Sequence, residues 1–388
     1  MHKIEKLLQT LAPKGVEFRK LGEVLEYDQP NQYCVTSKEF DKSYPTPVLT
    51  AGKTFILGYT NEKDNIYQAS KSSPVIIFDD FTTATQWVDF PFKVKSSAMK
   101  ILLPKNPTIN IRFIFFYMQT IPYNISGEHT RQWISRYSQL EVPIPPLEVQ
   151  QEIVKILDAF TELNTELNTE LKARKKQYEY YQNMLLDFKG IHQNHKDAKE
   201  KLAQKTYPKR LKTLLQTLAP KGVEFRKLGE VLEYDQPNQY CVTSKEFDKS
   251  YPTPVLTAGK TFILGYTNEK DNIYQASKSS PVIIFDDFTT ATQWVDFPFK
   301  VKSSAMKILL PKNPTINIRF IFFYMQTIPY NISGEHTRQW ISRYSQLEVP
   351  IPPLEVQQEI VKILDAFTEL NTELNTELKA RKKQYEYY

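Results

Sequence analysis

The alternation of apolar and polar positions divides the chain into a strand-rich stretch and a long helical one, and then does so again. Short β-rich runs such as Pro74-Val75-Ile76-Ile77-Phe78 and Ala98-Met99-Lys100-Ile101-Leu102-Leu103 are bounded by Pro, Asp or Ser. Val48–Tyr59 (VLTAGKTFILGY) reads as two strands around a Gly-containing turn. Asn110–Thr120 follows Pro107 and is long for a strand, so it reads as a buried helix. Val142-Pro143-Ile144-Pro145-Pro146 is predicted extended, because Pro fixes φ and disfavours helix in the residue before it. From Leu147 the apolar steps change to three and four: Ile153, Ile156, Leu157, Phe160, Leu163, Leu167 and Leu171. No Gly or Pro interrupts this run to Tyr181, which predicts a helix of about 35 residues and about 50 Å.

The pattern repeats because the sequence does. Residues 7–181 recur unchanged as residues 214–388, and a unit of this length is a domain rather than a solenoid repeat. A helix this long with one apolar stripe needs a partner along its length. The duplicate supplies one at Leu354–Tyr388, with its stripe at Ile360, Leu364, Phe367, Leu370, Leu374 and Leu378. The expected arrangement is an antiparallel pair with the globular bodies at opposite ends. Thr161-Glu162-Leu163-Asn164, Thr165-Glu166-Leu167-Asn168 and Thr169-Glu170-Leu171 form a four-residue repeat inside the helix. Each unit adds about 6 Å, so the repeat is a ruler of discrete steps. The expected fold class is α+β: two identical mixed α/β bodies and two long helices forming an antiparallel coiled coil. The expected divisions are 1–146 (first body), 147–213 (central helix and joint), 214–353 (second body) and 354–388 (C-terminal helix).

With 41% hydrophobic and 13% aromatic residues, the chain can bury real cores, which argues against disorder. Ile111–Met118 is the most apolar stretch; it is too short for the roughly 20 residues of a membrane span and is broken by Arg112. Met-His-Lys-Ile-Glu-Lys has no signal-peptide core, so a cytoplasmic protein is expected, without membrane partners. Cys34 and its copy Cys241 offer neither a disulfide framework nor a zinc site. The net charge of +6 lies outside the repeats: each copy holds 20 basic and 20 acidic residues. The joint Gln182–Thr213 holds 8 basic and 3 acidic; it begins as more helix and turns polar and basic after Gly190. Charge alone does not make this chain a nucleic-acid binder.

Ala51-Gly52-Lys53-Thr54 has the end of a phosphate-binding loop, but Pro47 stands where that motif needs Gly. A tight turn with an exposed Lys53 (Lys260 in the second copy) fits better, and such a lysine suits a DNA phosphate. No methyltransferase motif or Gly-rich cofactor loop appears, and with 11 glycines no cofactor is expected on this chain. The adjacent Asp79 and Asp80 read as solvated strand-end or structural carboxylates rather than catalytic ones. His129 and His336 have no second metal ligand nearby, so no metal is expected. The best candidates for DNA contact are polar residues on predicted loops. They are Lys53, Thr83, Thr85, Gln86, Arg131, Gln132 and Arg136, with their copies Lys260, Thr290, Thr292, Gln293, Arg338, Gln339 and Arg343. The neighbouring Trp87 and Trp133 read as core.

These features meet in Ile-Pro-Pro-Leu-Glu-Val-Gln-Gln-Glu-Ile-Val-Lys-Ile-Leu-Asp (144–158, repeated at 351–365), where an aromatic, β-rich body passes into a long helix. The run resembles the specificity (S) subunit of type I restriction–modification systems. Gly15-Val16-Glu17-Phe18-Arg19-Lys20-Leu21-Gly22-Glu23-Val24 is similar to the WxxxxLGEV opening of its recognition domains, with Phe18 in the aromatic place. The half-and-half layout and the tetrad ruler extend the likeness over essentially the whole chain. The resemblance implies two target-recognition domains that each read half of a bipartite site on double-stranded DNA. It also implies helices that fix the gap and dock two methyltransferase (M) subunits, joined by restriction (R) subunits. The S subunit would carry no catalysis, with S-adenosylmethionine on M and ATP on R. Family members usually carry two different recognition domains, whereas here they are identical, which points to an interrupted palindrome. The second helix also stops at Tyr388, where the first copy continues through Gln182–Phe188. The competing readings are an enzyme acting on nucleic acid alone, against which the missing catalytic motifs argue, and a coiled-coil scaffold with two protein-binding heads.

Overall fold

The computed structural model describes residues 2–50, 54–122, 131–193, 197–257, 261–329 and 338–387. In the first copy the order is α1 (His2–Leu11), β1 (Glu17–Lys20), α2 (Leu21–Val24), β2 (Leu25–Asp28), β3 (Thr46–Leu49) and β4 (Ile56–Thr60). Then come β5 (Val75–Asp79), β6 (Thr85–Val88), β7 (Lys93–Val94), β8 (Met99–Pro104), α3 (Ile111–Thr120), β9 (Glu141–Ile144) and α4 (Leu147–Leu185). The joint forms α5 (Ala198–Gln204) and α6 (Lys209–Leu218). The second copy repeats the body as β10 (Glu224–Lys227), α7 (Leu228–Val231), β11 (Leu232–Asp235), β12 (Thr253–Leu256), β13 (Ile263–Thr267) and β14 (Val282–Asp286). It continues with β15 (Thr292–Val295), β16 (Lys300–Val301), β17 (Met306–Pro311), α8 (Ile318–Met325), β18 (Glu348–Ile351) and α9 (Leu354–Tyr387).

Two compact units result, and they divide within the long helices rather than at the ends of the repeats. One is Met1–Glu166 with Ala380–Tyr388; the other is Leu167–Lys379. In the first, an antiparallel sheet runs β2-β8-β5-β6 and a smaller one β4-β3-β7. The central β5, Val75-Ile76-Ile77-Phe78-Asp79, is buried at every position because both sheet faces are covered. Ile76, Phe78 and Leu102 pack with α3, Trp133 and Tyr137, while Val75, Ile77 and Ile101 pack with Leu49, Phe92 and Val94. The two strands expected in Val48–Tyr59 are β3 and β4, paired antiparallel. The expected buried helix is α3, whose N-cap Asn110 accepts from the backbone of Arg112 (3.0 Å) and Phe113 (3.2 Å).

The extended Val142–Ile144 pairs with β1, Phe18 opposite Pro143, before Pro145-Pro146 opens the long helix. Gln150, fully buried, ties that opening to the body. Its amide donates to the carbonyls of Pro145 (2.8 Å) and Thr108 (3.1 Å), and its oxygen accepts from Asn110 N (2.8 Å). One turn past Val154, Asp158 accepts two charge-assisted bonds from Arg112, each 2.8 Å. The Arg112 guanidinium lies 4.5 Å from the Trp87 ring and 4.6 Å from the Phe116 ring. Trp87 is therefore half-buried on the body rather than deep in its core.

In the second unit α4 and α9 pack together. Tyr181 stacks on Phe367 at 4.9 Å, Tyr178 bonds Thr368, and Leu185 lies in one cluster with Ile360 and Leu364. α4 advances as α9 recedes, so this segment is antiparallel. The threonines of the tetrads turn their hydroxyls back to the carbonyl four residues before, as in Thr161 to Leu157 (2.8 Å) and Thr368 to Leu364 (2.9 Å). On both helices the predicted stripe residues are all buried or half-buried. The joint begins as more helix, as expected, with α4 running on to Leu185, but its basic stretch is also folded. Although Lys189, Lys199, Lys209 and Arg210 are exposed, Phe188, Ile191, Leu202, Tyr207, Leu211 and Leu215 are buried in the core of the second unit. The apolar positions are few but correctly spaced, with Leu211 and Leu215 on one face of α6.

Candidate nucleic-acid interface

The two polar clusters that the sequence singled out are joined through one corner, Asp79-Asp80, at the end of β5. Asp79 shapes the hairpin turn to β6. Its carboxylate accepts from Phe81 N (2.9 Å), Thr82 N (3.3 Å) and the Thr82 hydroxyl (2.5 Å). Thr83 follows with φ +61°, a conformation that a β-branched residue adopts only when its surroundings impose it. Thr82, Ala84 and Gln86 are exposed along this hairpin and the edge strand β6, and Thr83 and Thr85 are half-buried.

Asp80 fastens the other cluster. Its carbonyl accepts from Gln132 N (2.8 Å) and its carboxylate from Trp133 N (2.8 Å). The second carboxylate oxygen faces Lys100 Nζ at 3.6 Å and an Arg131 guanidinium nitrogen at 3.9 Å. Asp80 is 0% exposed and Lys100 only 2%, so the charges are compensated inside the body. Burial pushes the Lys100 ammonium below its usual pKa, and the nearby Asp80 pulls it back up. Lys100 also bonds the Gln29 side chain and sits 4.6 Å from the Tyr27 ring. Of the two readings the sequence left open, solvated or structural, the pair is structural and buried: three of its four oxygens accept hydrogen bonds from the turn or the anchored segment, and the fourth, Asp80 Oδ2, faces the Lys100 and Arg131 charges.

Arg131 and Arg136 are exposed beside this anchor, as are Ile134 and Ser135. Trp133 is core, packed edge-on against Phe78 at 5.1 Å. Gln132 faces inward and is 1% exposed. A side chain held there reaches no base edge, so Gln132 and its equally buried copy Gln339 leave the candidate set. Lys53, Lys260, His129 and His336 lie outside the described residues. Among the described residues no group of three or more His, Cys, Asp or Glu is placed to hold a metal. No helix among them is long and apolar enough to cross a membrane.

The second copy rebuilds the corner almost to the tenth of an ångström. Trp340 N donates to Asp287 (2.8 Å), Lys307 lies 3.6 Å and Arg338 3.8 Å from its carboxylate, and Thr290 has φ +61°. Thr292 is half-buried, and Gln293 and Arg343 are exposed, like their counterparts. Sequence reasoning missed Lys100, Gln29 and Gln150. The one available signal was Lys100 itself, a single charge inside an otherwise apolar strand.

A corner of this kind displays arginine, threonine and glutamine side chains from a rigid base, which is what phosphate positioning and groove readout require. The comparisons with known proteins identify the family. The family model for the type I restriction modification DNA specificity domain matches twice, at residues 13–176 and 220–381. The EcoR124I/EcoR124II specificity subunit of Escherichia coli is 35% identical over 423 aligned positions, spanning 100% of this chain and 96% of that protein. A putative type I specificity subunit of Mycoplasma pneumoniae is 27% identical over 74% of each chain. The fold is similar to the crystal structure of the type I restriction–modification S subunit from M. genitalium, with TM-score 0.69 over 96% of this chain and 95% of that one, at 14% identity. Two matching domains, each carried into a long helix, place this chain in the family of type I restriction–modification specificity subunits.

Proposed function

We propose that the chain is the non-catalytic DNA-specificity subunit of a type I complex and reads an interrupted palindrome with two identical bodies. The observation that carries this is the repeated corner: the same exposed arginines and threonines stand on the same buried Asp-Lys base in both bodies. Identical side chains on identical frames prefer the same short half-site. The antiparallel packing of α4 on α9 supports half-sites of inverted sense, as the two strands of a duplex present them. In this reading the Thr-Glu-Leu-Asn tetrads set the spacer, and the paired helices dock two methyltransferase subunits, to which restriction subunits join. S-adenosylmethionine then belongs to the methyltransferase subunits and ATP to the restriction subunits.

The test is a mobility shift on duplexes carrying one half-site, two inverted half-sites or two direct ones, with and without methyltransferase subunits. The motif is taken first from methylation sequencing of a host that carries the gene. Tight binding only to inverted pairs is the expected result. An asymmetric methylated motif, or binding that needs only one half-site, overturns the reading.

A further inference from the structure

One oxygen of the corner has no hydrogen bond. In each body the first carboxylate oxygen of Asp80 or Asp287 accepts from Trp133 N or Trp340 N at 2.8 Å. The second, Oδ2, is sealed from solvent and accepts no hydrogen bond among the described residues. It faces two cations instead, each beyond hydrogen-bond range. Lys100 Nζ lies at 3.6 Å and an Arg131 nitrogen at 3.9 Å; in the second body Lys307 lies at 3.6 Å and Arg338 at 3.8 Å.

The two cations differ in freedom. The Lys100 and Lys307 side chains are 2% and 3% exposed, and each also bonds the side chain of Gln29 or Gln236, so they stay. The Arg131 and Arg338 side chains are 46% and 47% exposed, so their heads reach solvent. A second acceptor lies beside the carboxylate. Gln29 Nε2 donates to Ser97 O (3.1 Å), and Gln236 Nε2 to Ser304 O (3.0 Å), the carbonyl that also accepts from Arg338 at 3.4 Å. The arginine thus rests on a seat whose parts are fixed from below. Its ion pair is long and half-exposed, hence weak. The resident lysine means that the arginine can leave without stranding a buried carboxylate.

We propose that Asp80 and Asp287 are positioning residues for DNA recognition: each holds its arginine outward before the duplex arrives and yields it to an acceptor on the duplex. This assignment deepens the DNA reading proposed above and rests on it. Both aspartates are 0% exposed, so they meet no DNA themselves and act only through the arginine. A long side chain free in water loses rotamer freedom when it binds, and a seated one has lost much of it already. The seat is built alike in both bodies, so both half-sites meet an arginine prepared in the same way.

The experiment is a double-mutant cycle on the full chain, with methyltransferase subunits where binding requires them, titrated against the cognate duplex over a range of salt. The seat variant combines Asp80→Asn with Lys100→Met, and Asp287→Asn with Lys307→Met. It leaves the net charge unchanged and strands no buried ion, and its unfolding midpoint is checked alongside. It is expected to lower cognate affinity about three- to tenfold, the effect of ordering one long side chain per body, with the salt slope unchanged. Arg131→Ala with Arg338→Ala lowers both affinity and slope. On that background the seat variant has no further effect. Losses that simply multiply overturn the positioning role, because a merely structural seat acts whether or not the arginine is present. A second readout needs no seat variant: the Arg131 and Arg338 Nε–Hε signals, assigned by their loss on substitution, relax as ordered groups in the DNA-free chain. Signals averaged by fast motion overturn the proposal. Failure of the unaltered chain to bind the cognate duplex overturns the DNA reading and this assignment with it, whereas binding with multiplying losses overturns the assignment alone.

Discussion

Replacing Asp80 and Asp287 by Asn tests whether the corner is a compensated buried charge cluster or merely a hydrogen-bonded turn. Asn keeps an acceptor for Trp133 N, so the change isolates the charge. Lys100, 2% exposed and 3.6 Å from the carboxylate, then loses its buried counterion. Removing one partner of a buried pair costs about 3–5 kcal/mol. Gln29 and the Tyr27 ring remain with the ammonium, and Arg131 swings to water, so the lower end applies, about 3 kcal/mol per body. With a urea m-value of about 2 kcal/mol/M, the midpoint falls by about 1.5 M. Adding Lys100→Met and Lys307→Met removes the orphaned charges and restores most of the loss, because a buried pair replaced by apolar groups is near neutral. The pH dependence has a definite sign. Burial holds the folded Lys100 pKa below its unfolded value, so the unfolded chain binds more protons between the two values and stability rises with pH there. Loss of Asp80 widens that window downward, and the Asn variant recovers part of its stability at alkaline pH. If the double-mutant cycle gives a coupling below about 1 kcal/mol, the buried-cluster account fails.

The carboxyls of Glu62 and Glu269 give a second pH signature. Burial alone would raise them, but bonds from Lys93, Ser37 and Thr36, and from their copies in the second body, hold each at about 2. Their stabilisation is complete above the ordinary carboxylate pKa and is lost as pH falls from about 4.5 towards 2, so Glu62→Gln with Glu269→Gln flattens the acid limb of an unfolding titration. An unchanged limb assigns the acid sensitivity elsewhere. Arg131→Ala with Arg338→Ala lowers affinity for the cognate duplex about tenfold or more in a salt-controlled titration, and unchanged affinity of the folded variant removes these residues from the interface. Deleting Thr165–Asn168 together with Thr372–Asn375 removes about 6 Å of helix from each copy. The preferred spacer then shortens by about two base pairs at about 3.4 Å each, and methylation sequencing that finds the spacer unchanged refutes the ruler.

What was legible in the sequence was what local rules decide. The stripe from Ile153 to Leu171 announces a helix by its period, Pro145-Pro146 marks its start, and the apolar run Val75–Phe78 reads as a strand without help. The corner was only half legible, because its parts lie far apart in the chain. Asp80 is completed by Lys100 twenty residues on and by Trp133 fifty-three residues on, and nothing local distinguishes its carboxylate from a solvated one. Arg131 and Gln132 are adjacent and polar, yet one points outward and the other is sealed in by the turn that Asp80 holds. The joint misled for the opposite reason. Its basic composition hid three buried apolar residues, Leu202, Tyr207 and Leu211, which help to fold it onto a body already rich in aromatic rings.

The duplication serves as an internal control on which features the body specifies by itself. The Asp80 and Asp287 corners agree closely, with Lys at 3.6 Å in both and Arg at 3.9 and 3.8 Å, although only one body carries the joint. That agreement means neither the joint nor the segment it covers is needed to set the corner, so a substitution there acts alike in either copy. Phe18 and Phe225 show the reverse: one sequence position, two environments, decided wholly by what lies against it. Symmetry therefore belongs to the surface proposed for DNA, and asymmetry to the surroundings of Phe18 and Phe225. It follows that Phe18→Ser and Phe225→Ser, formally the same change, have different consequences: an unchanged unfolding midpoint for the first, whose ring is largely exposed, and destabilisation of the second unit by the loss of a stacked ring.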